Sequence, residues 1–326
     1  MDTIMLWMTP GVVVESALTV LFRLRPTLES QFLRSVFAPF FVGPQADNLY
    51  ADWRNNVVYG FKAGGLFVNG NIASMFCGVA ALLLVVTARR TGCRPLYYFA
   101  SVAIAGSIFT GSKTAVFVAA GMAFVIILLP RNLRAGSAIA TIPLVLSLPL
   151  IFSIVSDALS RIAPNLYAAS ERSYSGRQSM WRGGAELFQD SPFFGLGFGG
   201  WGERIGRYTG EWHLPPHNYV VAAWANSGMF TALLAIAFVV AVSVISLRVA
   251  AAQSTVQSRR TAVIAFCAVA WVLVHGLADN TTMYGEQRSM ILMGLAVGYI
   301  YAMKENQREV VPGSAHDGPR FLSFPA

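Results

Sequence analysis

Ser175-Gly176-Arg177-Gln178-Ser179-Met180-Trp181, Pro192-Phe193-Phe194-Gly195-Leu196-Gly197-Phe198-Gly199-Gly200-Trp201 and Pro216-His217-Asn218 all fall inside Asp157–Asn218, the longest stretch of this chain that is poor in continuous apolar runs. Outward from it in both directions the sequence is close to uninterrupted hydrocarbon. With 55% of residues hydrophobic, 12% charged and a mean hydropathy of +0.54, the chain stands far from the soluble mix, in which about a quarter of residues carry charge. This composition predicts an all-α, polytopic transmembrane helical bundle. The chemistry open to such a protein is confined to its polar stretch and to the helix ends that face it.

The net charge of +8 sits between the apolar runs, so it reads as membrane topology, with lipid as partner, and not as a nucleic-acid surface. Cys77, Cys93 and Cys267 lie in or beside apolar segments without paired spacing, which suggests neither a disulfide framework nor a metal site. The four histidines have no carboxylate at ligand spacing, so zinc is not expected and no cofactor is implied.

Taken in order, Ile4–Leu21 is a first span interrupted by Pro10 and Glu15, and no signal-peptide cleavage pattern follows it. Phe22–Lys62 is mixed, with an interfacial piece at Val36–Val42 too short to cross a bilayer, which takes about 20 helical residues. Further spans are expected at Gly65–Thr87, Pro95–Phe109, Ala115–Leu129, Ser137–Val155, Tyr219–Leu247, Ala262–Leu277 and Met290–Met303, giving seven or eight in all. The chain divides into an N-terminal transmembrane bundle (1–155), a long extracytoplasmic loop with a short amphipathic helix (156–216), C-terminal transmembrane helices (217–303) and a flexible cytoplasmic tail (304–326).

If the spans alternate, Arg89/Arg90/Arg94, Arg131/Arg134, Arg248/Arg259/Arg260 and Lys304/Arg308 share one side, which the positive-inside rule makes cytoplasmic. Lys113, the long loop and the link Ala278–Arg288 then lie outside. Arg23, Arg25 and Arg34 fit this count poorly. No repeat of 20 to 50 residues is visible, which weakens a transporter built from internal repeats.

Gly195-Leu196-Gly197-Phe198-Gly199-Gly200 satisfies G-x-G-x-x-G, but a dinucleotide site needs a strand before it and a helix after it. A tight, close-packed turn is the better reading. Lys113, next to a hydrocarbon run, is either a snorkelling anchor or a ligand for an anion, with Gly111 and Ser112 letting the backbone bend to expose it. Ser175 and Gln178 read as a capping box for a helix reaching about Gln189, with Arg177 in its first turn sharing a face with Trp181. Such a terminus attracts phosphate, and an arginine adds a bidentate fork; an ordinary solvated charge is the alternative. Arg172, Arg182, Arg204 and Arg207 add positive potential to the same loop. His217, held between Pro215-Pro216 and Asn218 where the loop meets the membrane, either exchanges a proton with a substrate or merely caps the interface.

Five stretches in this order resemble the O-antigen ligase and polysaccharide polymerase superfamily: Gly65–Asn71 (Gly-Leu-Phe-Val-Asn-Gly-Asn), Thr110–Ala115 (Thr-Gly-Ser-Lys-Thr-Ala), Gly176–Trp181, Ser191–Gly197 and Pro216–Tyr219. The Ser-Lys-Thr-Ala form is most similar to the exopolysaccharide-polymerase branch. Because that family has ten or more spans, the resemblance implies that N-terminal helices are missing from this sequence. It also implies an inverting, metal-independent transfer of a glycan from an undecaprenyl-diphosphate carrier to an acceptor sugar hydroxyl, outside the bacterial cytoplasmic (inner) membrane. The acceptor is a glycan or a lipid-linked glycan. In that chemistry Lys113, Arg177 and Arg182 would meet the diphosphate, His217 and Arg177 would be catalytic, and Trp181, Trp201 and Asn218 would contact sugar or acceptor. A transporter or flippase for an anionic or lipid-linked glycan is the alternative, its cations binding without catalysing. An inactive, truncated relative is a third reading.

Overall fold

The apolar runs fold into helices wherever the computed structural model describes the chain, at residues 1–43, 57, 62–67, 69–132, 179–210, 212, 214–278 and 287–309. No strand occurs among the described residues, in keeping with the all-α class. Helix α1 (Asp2–Leu24) continues through both Pro10 and Glu15. Short helices α2 (Pro26–Leu33) and α3 (Ala38–Val42) follow, then α4 (Gly70–Thr91), α5 (Pro95–Phe109) and α6 (Lys113–Asn132). After them come α7 (179–190), α8 (Gly200–Thr209), α9 (Tyr219–Ser227), α10 (Met229–Ala251), α11 (Val256–Ala278) and α12 (Gln287–Glu309). Five of these are long and apolar enough to cross a membrane: Asp2–Leu24, Gly70–Thr91, Lys113–Arg131, Met229–Ala251 and Val256–Leu277. The span expected at Ser137–Val155, the loop to residue 178, the link 279–286 and the tail from 310 lie outside the described residues.

Burial ranks the helices. Most of α4 and α11 is covered by other helices, whereas α6 and α10 expose most of their apolar length, the arrangement of a bundle whose outer surface is solvated by lipid. Lipid tails are as apolar as leucine, so packing inside the bundle rests on close approach of small residues and on interhelical polar contacts. A side chain at Gly78 of α4 would overlap the Trp271 ring of α11, and one at Gly106 of α5 would meet the Ser16 Cβ of α1 at 2.7 Å. Thr87 and Tyr299 share a 2.7 Å hydrogen bond between α4 and α12.

One end of the bundle collects the basic groups that the alternation count placed together. Arg89 at the end of α4 donates to Thr261 Oγ1 and the Gln257 carbonyl at the start of α11. Arg90 pairs with Asp2 at 3.3 Å and lies 5.6 Å from the centre of the Tyr299 ring. Arg259 reaches the carbonyls of Pro130 and Gln253. Helix direction puts Leu24, Gly70, Phe109, Lys113, Tyr219 and Leu277 at the opposite end.

Two expected spans differ from the observed helices. Gly65–Thr87 begins as a loop, and α4 starts only at Gly70, where the Asn69 side chain accepts the Asn71 N–H at 2.8 Å. Tyr219–Leu247 is two helices, because Gly228 (φ +87°) ends α9 and its N–H donates to Trp224 O at 2.7 Å. Any larger residue there would collide with the Phe193 carbonyl, so the break is imposed by a distant turn docking into it.

Candidate functional site

At the end opposite the arginine cluster, the Thr110-Gly111-Ser112 turn aims α6 back into the bundle. Thr110 Oγ1 donates to Ser107 O, Gly111 takes φ +71°, and Ser112 Oγ accepts the Ala115 N–H, so Ser112 caps α6 with Lys113 as its first residue. The backbone bend expected from Gly111 and Ser112 is present. Lys113 is half-buried, and it sits where the unsatisfied N–H groups and dipole of a helix N-terminus already favour negative charge.

Against this turn lies the loop 62–67. Ala63 N–H donates to Thr110 O at 3.1 Å, and Lys62 Nζ to Asn71 Oδ1 at 3.1 Å. Two buried carboxylates hold the loop from behind. Glu15 accepts the Leu66 N–H at 2.8 Å and Glu29 the Gly64 N–H at 2.7 Å. Burial pushes the Glu29 carboxyl up to about 7, against the Gly64 hydrogen bond, which pulls the other way. A glutamate inside a membrane span is the signal that could have flagged Glu15.

The polar stretch supplies the rest. The glycine-rich segment is a tight turn, with Gly195, Gly197 and Gly199 all at φ between +71° and +80°. No strand precedes it; Leu196 N–H donates to Ala225 O at 2.7 Å and Met229 N–H to Pro192 O at 3.1 Å, which fastens the turn onto the α9–α10 elbow. Trp201, in the first turn of α8, is 4% exposed and donates its indole N–H to Leu214 O at 2.7 Å. Met180 and Leu187 of α7 pack with Trp201, Ile205 and Trp224 into a small core of their own.

His217 is the one non-glycine residue with positive φ among those described, at +48°, and is half-buried. Asn218 after it caps α9, its Oδ1 accepting from Val220 and Val221, while Nδ2 donates to Leu277 O at 3.2 Å. The amide thus ties α9 to the last turn of α11.

Of the expected site residues, Trp181, Trp201 and Asn218 line a single cavity of about 530 Å³. Arg182 is exposed on α7 beside it. Lys113 and His217 stand at the same end of the bundle on separate elements, α6 and the start of α9, both of which pack on α11. Arg177 and its capping box lie outside the described residues.

An α-helical multi-pass membrane protein with its polar machinery gathered at one end is the class that these features define. Residues 98–236 match the family model described as O-antigen ligase, so the resemblance to the O-antigen ligase and polymerase superfamily holds over this segment. The matched segment contains Lys113, Trp181, Arg182, Trp201, His217 and Asn218. The match covers less than half of the chain, and its description points that segment to glycan processing at a membrane. A comparison with curated proteins finds none that matches.

Proposed function

We propose that this protein is an inverting glycosyltransferase that moves a glycan from a polyprenyl-diphosphate carrier to an acceptor sugar hydroxyl at the outer face of the bacterial cytoplasmic membrane. The observation that carries this reading is the placement of Lys113 at the N-terminus of α6, half-buried, at the same end of the bundle as His217 and within the matched family segment. The arginine cluster at the other end supports a cytoplasmic position for that side, by the positive-inside rule.

In the reaction the acceptor oxygen bonds to the anomeric carbon as the bond from that carbon to the phosphate oxygen breaks. The diphosphate leaves with the electron pair. Lys113, with Arg182 and Arg177, offers fixed positive charge to the leaving group, the type of preorganised stabilisation that dominates such steps and requires no metal. His217 takes the acceptor proton. Trp212, 54% exposed, presents a ring face for sugar stacking.

Purified protein in proteoliposomes, given lipid-linked glycan and acceptor, should yield transferred or lengthened glycan with an inverted anomeric centre. Retained configuration would exclude the single displacement, and movement of the donor between leaflets without product would favour the transporter.

A further inference from the structure

We infer that the cavity between α7, α8 and the α9–α10 elbow holds the hydrocarbon chain of the lipid-linked substrate, the sugar lying outside it. This rests on the glycosyl-transfer reading for the identity of the lipid, and on the cavity's own chemistry for the rest. Its walls are Trp181, Phe188, Trp201, Trp224, Val221 and Ala232, and Asn218 is its polar edge. At about 530 Å³ it falls in the range of small-molecule sites.

The side-chain polar groups of Trp201, Trp224 and Asn218 in this lining are already engaged within the protein. The Trp201 indole donates to Leu214 O, the Trp224 indole to Ser191 O at 3.3 Å, and both ends of the Asn218 amide are in use. A sugar enclosed here would leave hydroxyls without partners, a costly state, whereas an alkyl or isoprenoid chain needs only the ring faces and methyl groups on offer. Ala232 lies in the first turns of α10, a membrane-spanning helix whose next two residues, Leu233 and Leu234, are exposed apolar side chains. The cavity therefore lies beside the lipid-facing start of a membrane-spanning helix. Its polar edge, Asn218, directly follows His217, so a chain seated in it would bring its head group out at the proposed reaction centre.

The test uses the full chain in nanodiscs with two photoreactive probes, a diazirine-bearing polyprenyl diphosphate without sugar and a diazirine-bearing phosphatidylcholine. The polyprenyl probe should label residues 181–188 and 220–232, unlabelled polyprenyl diphosphate should displace it, and free disaccharide should not. Ala185→Trp, on the exposed side of α7 but at the cavity wall, should cut this labelling at least tenfold, and Ala185→Ser should not. Labelling confined to the outer surface of α10, displacement by disaccharide alone, or phosphatidylcholine labelling that polyprenyl diphosphate does not displace would each overturn the assignment. Labelling requires no catalysis. Absent transfer with labelling intact counts against the glycosyltransferase reading alone, and intact transfer without labelling counts against the cavity assignment alone.

Discussion

Both ends of this bundle carry lysines and arginines, yet the groups that tie the structure together carry opposite signs. At the end with Arg89, Arg90 and Arg259, the guanidinium groups reach across to carbonyls, a threonine and Asp2, and so join α1, α4, α6 and α11. At the end with Lys113 and His217, the acceptors are carboxylates and amides. Glu15 and Glu29 hold the 62–67 loop, and Asn69, Ser112 and Asn218 cap the helices. Positive charge is structural at the first end. At the second, carboxylates, amides and a hydroxyl build most of the scaffold, Lys62 adds a bond to Asn71, and Lys113 stands at a helix N-terminus.

Substitutions at the two ends should separate these roles. His217→Ala or Lys113→Ala should lower glycan transfer by about a hundredfold or more, the usual scale for an acid–base or charge-stabilising group, with little loss of thermal stability. Arg89→Ala should do the reverse, reducing the melting temperature in detergent while transfer at low temperature persists. Equal effects of all three on transfer would erase the distinction between the ends.

Gly228→Val tests the elbow that fastens the polar segment to the membrane helices. A side chain at φ +87° against the Phe193 carbonyl should cost about 2–4 kcal/mol and show as a lower midpoint of thermal unfolding.

Glu29 gives the scaffold of the site end a pH dependence. Its folded-state value, about 7, lies above the unfolded 4.5, so its contribution to stability is fully present below about pH 4.5 and is lost as pH rises through 7. Over that window the loss approaches roughly 1.4 kcal/mol per pH unit. Thermal scans at pH 5 and pH 8 should differ more for the wild type than for Glu29→Gln, which keeps an acceptor for the Gly64 N–H. A smaller effect, about 1 kcal/mol, is expected from Asn218→Ala through loss of the α9 cap, and Asn218→Asp should restore most of it.

The helices were legible because their signal is local: runs of apolar residues ended by arginine, proline or glycine. The turn at Gly111-Ser112 was legible for the same reason. The break at Gly228 was not, since Tyr219–Leu247 is apolar on both sides of it and the requirement for glycine comes from Phe193, far back in the chain. The tasks of Glu15 and Glu29 were hidden likewise, because their partners Leu66 and Gly64 are 51 and 35 residues away. Trp201 and Asn218 were found as candidates, but nothing in the sequence shows that the indole N–H and the amide are held by Leu214 and Leu277.

The sidedness of the two ends is open to one direct measurement. Cys93 stands half-buried at the arginine end, and Cys77 and Cys267 are buried in the core, so a single cysteine introduced by Arg182→Cys in a Cys93→Ser background reports on the site end alone. A membrane-impermeant maleimide should label that cysteine in intact cells stripped of their outer envelope, and in inverted vesicles only after permeabilisation. Labelling of inverted vesicles alone would put Lys113 and His217 in the cytoplasm and contradict glycan transfer at the outer face.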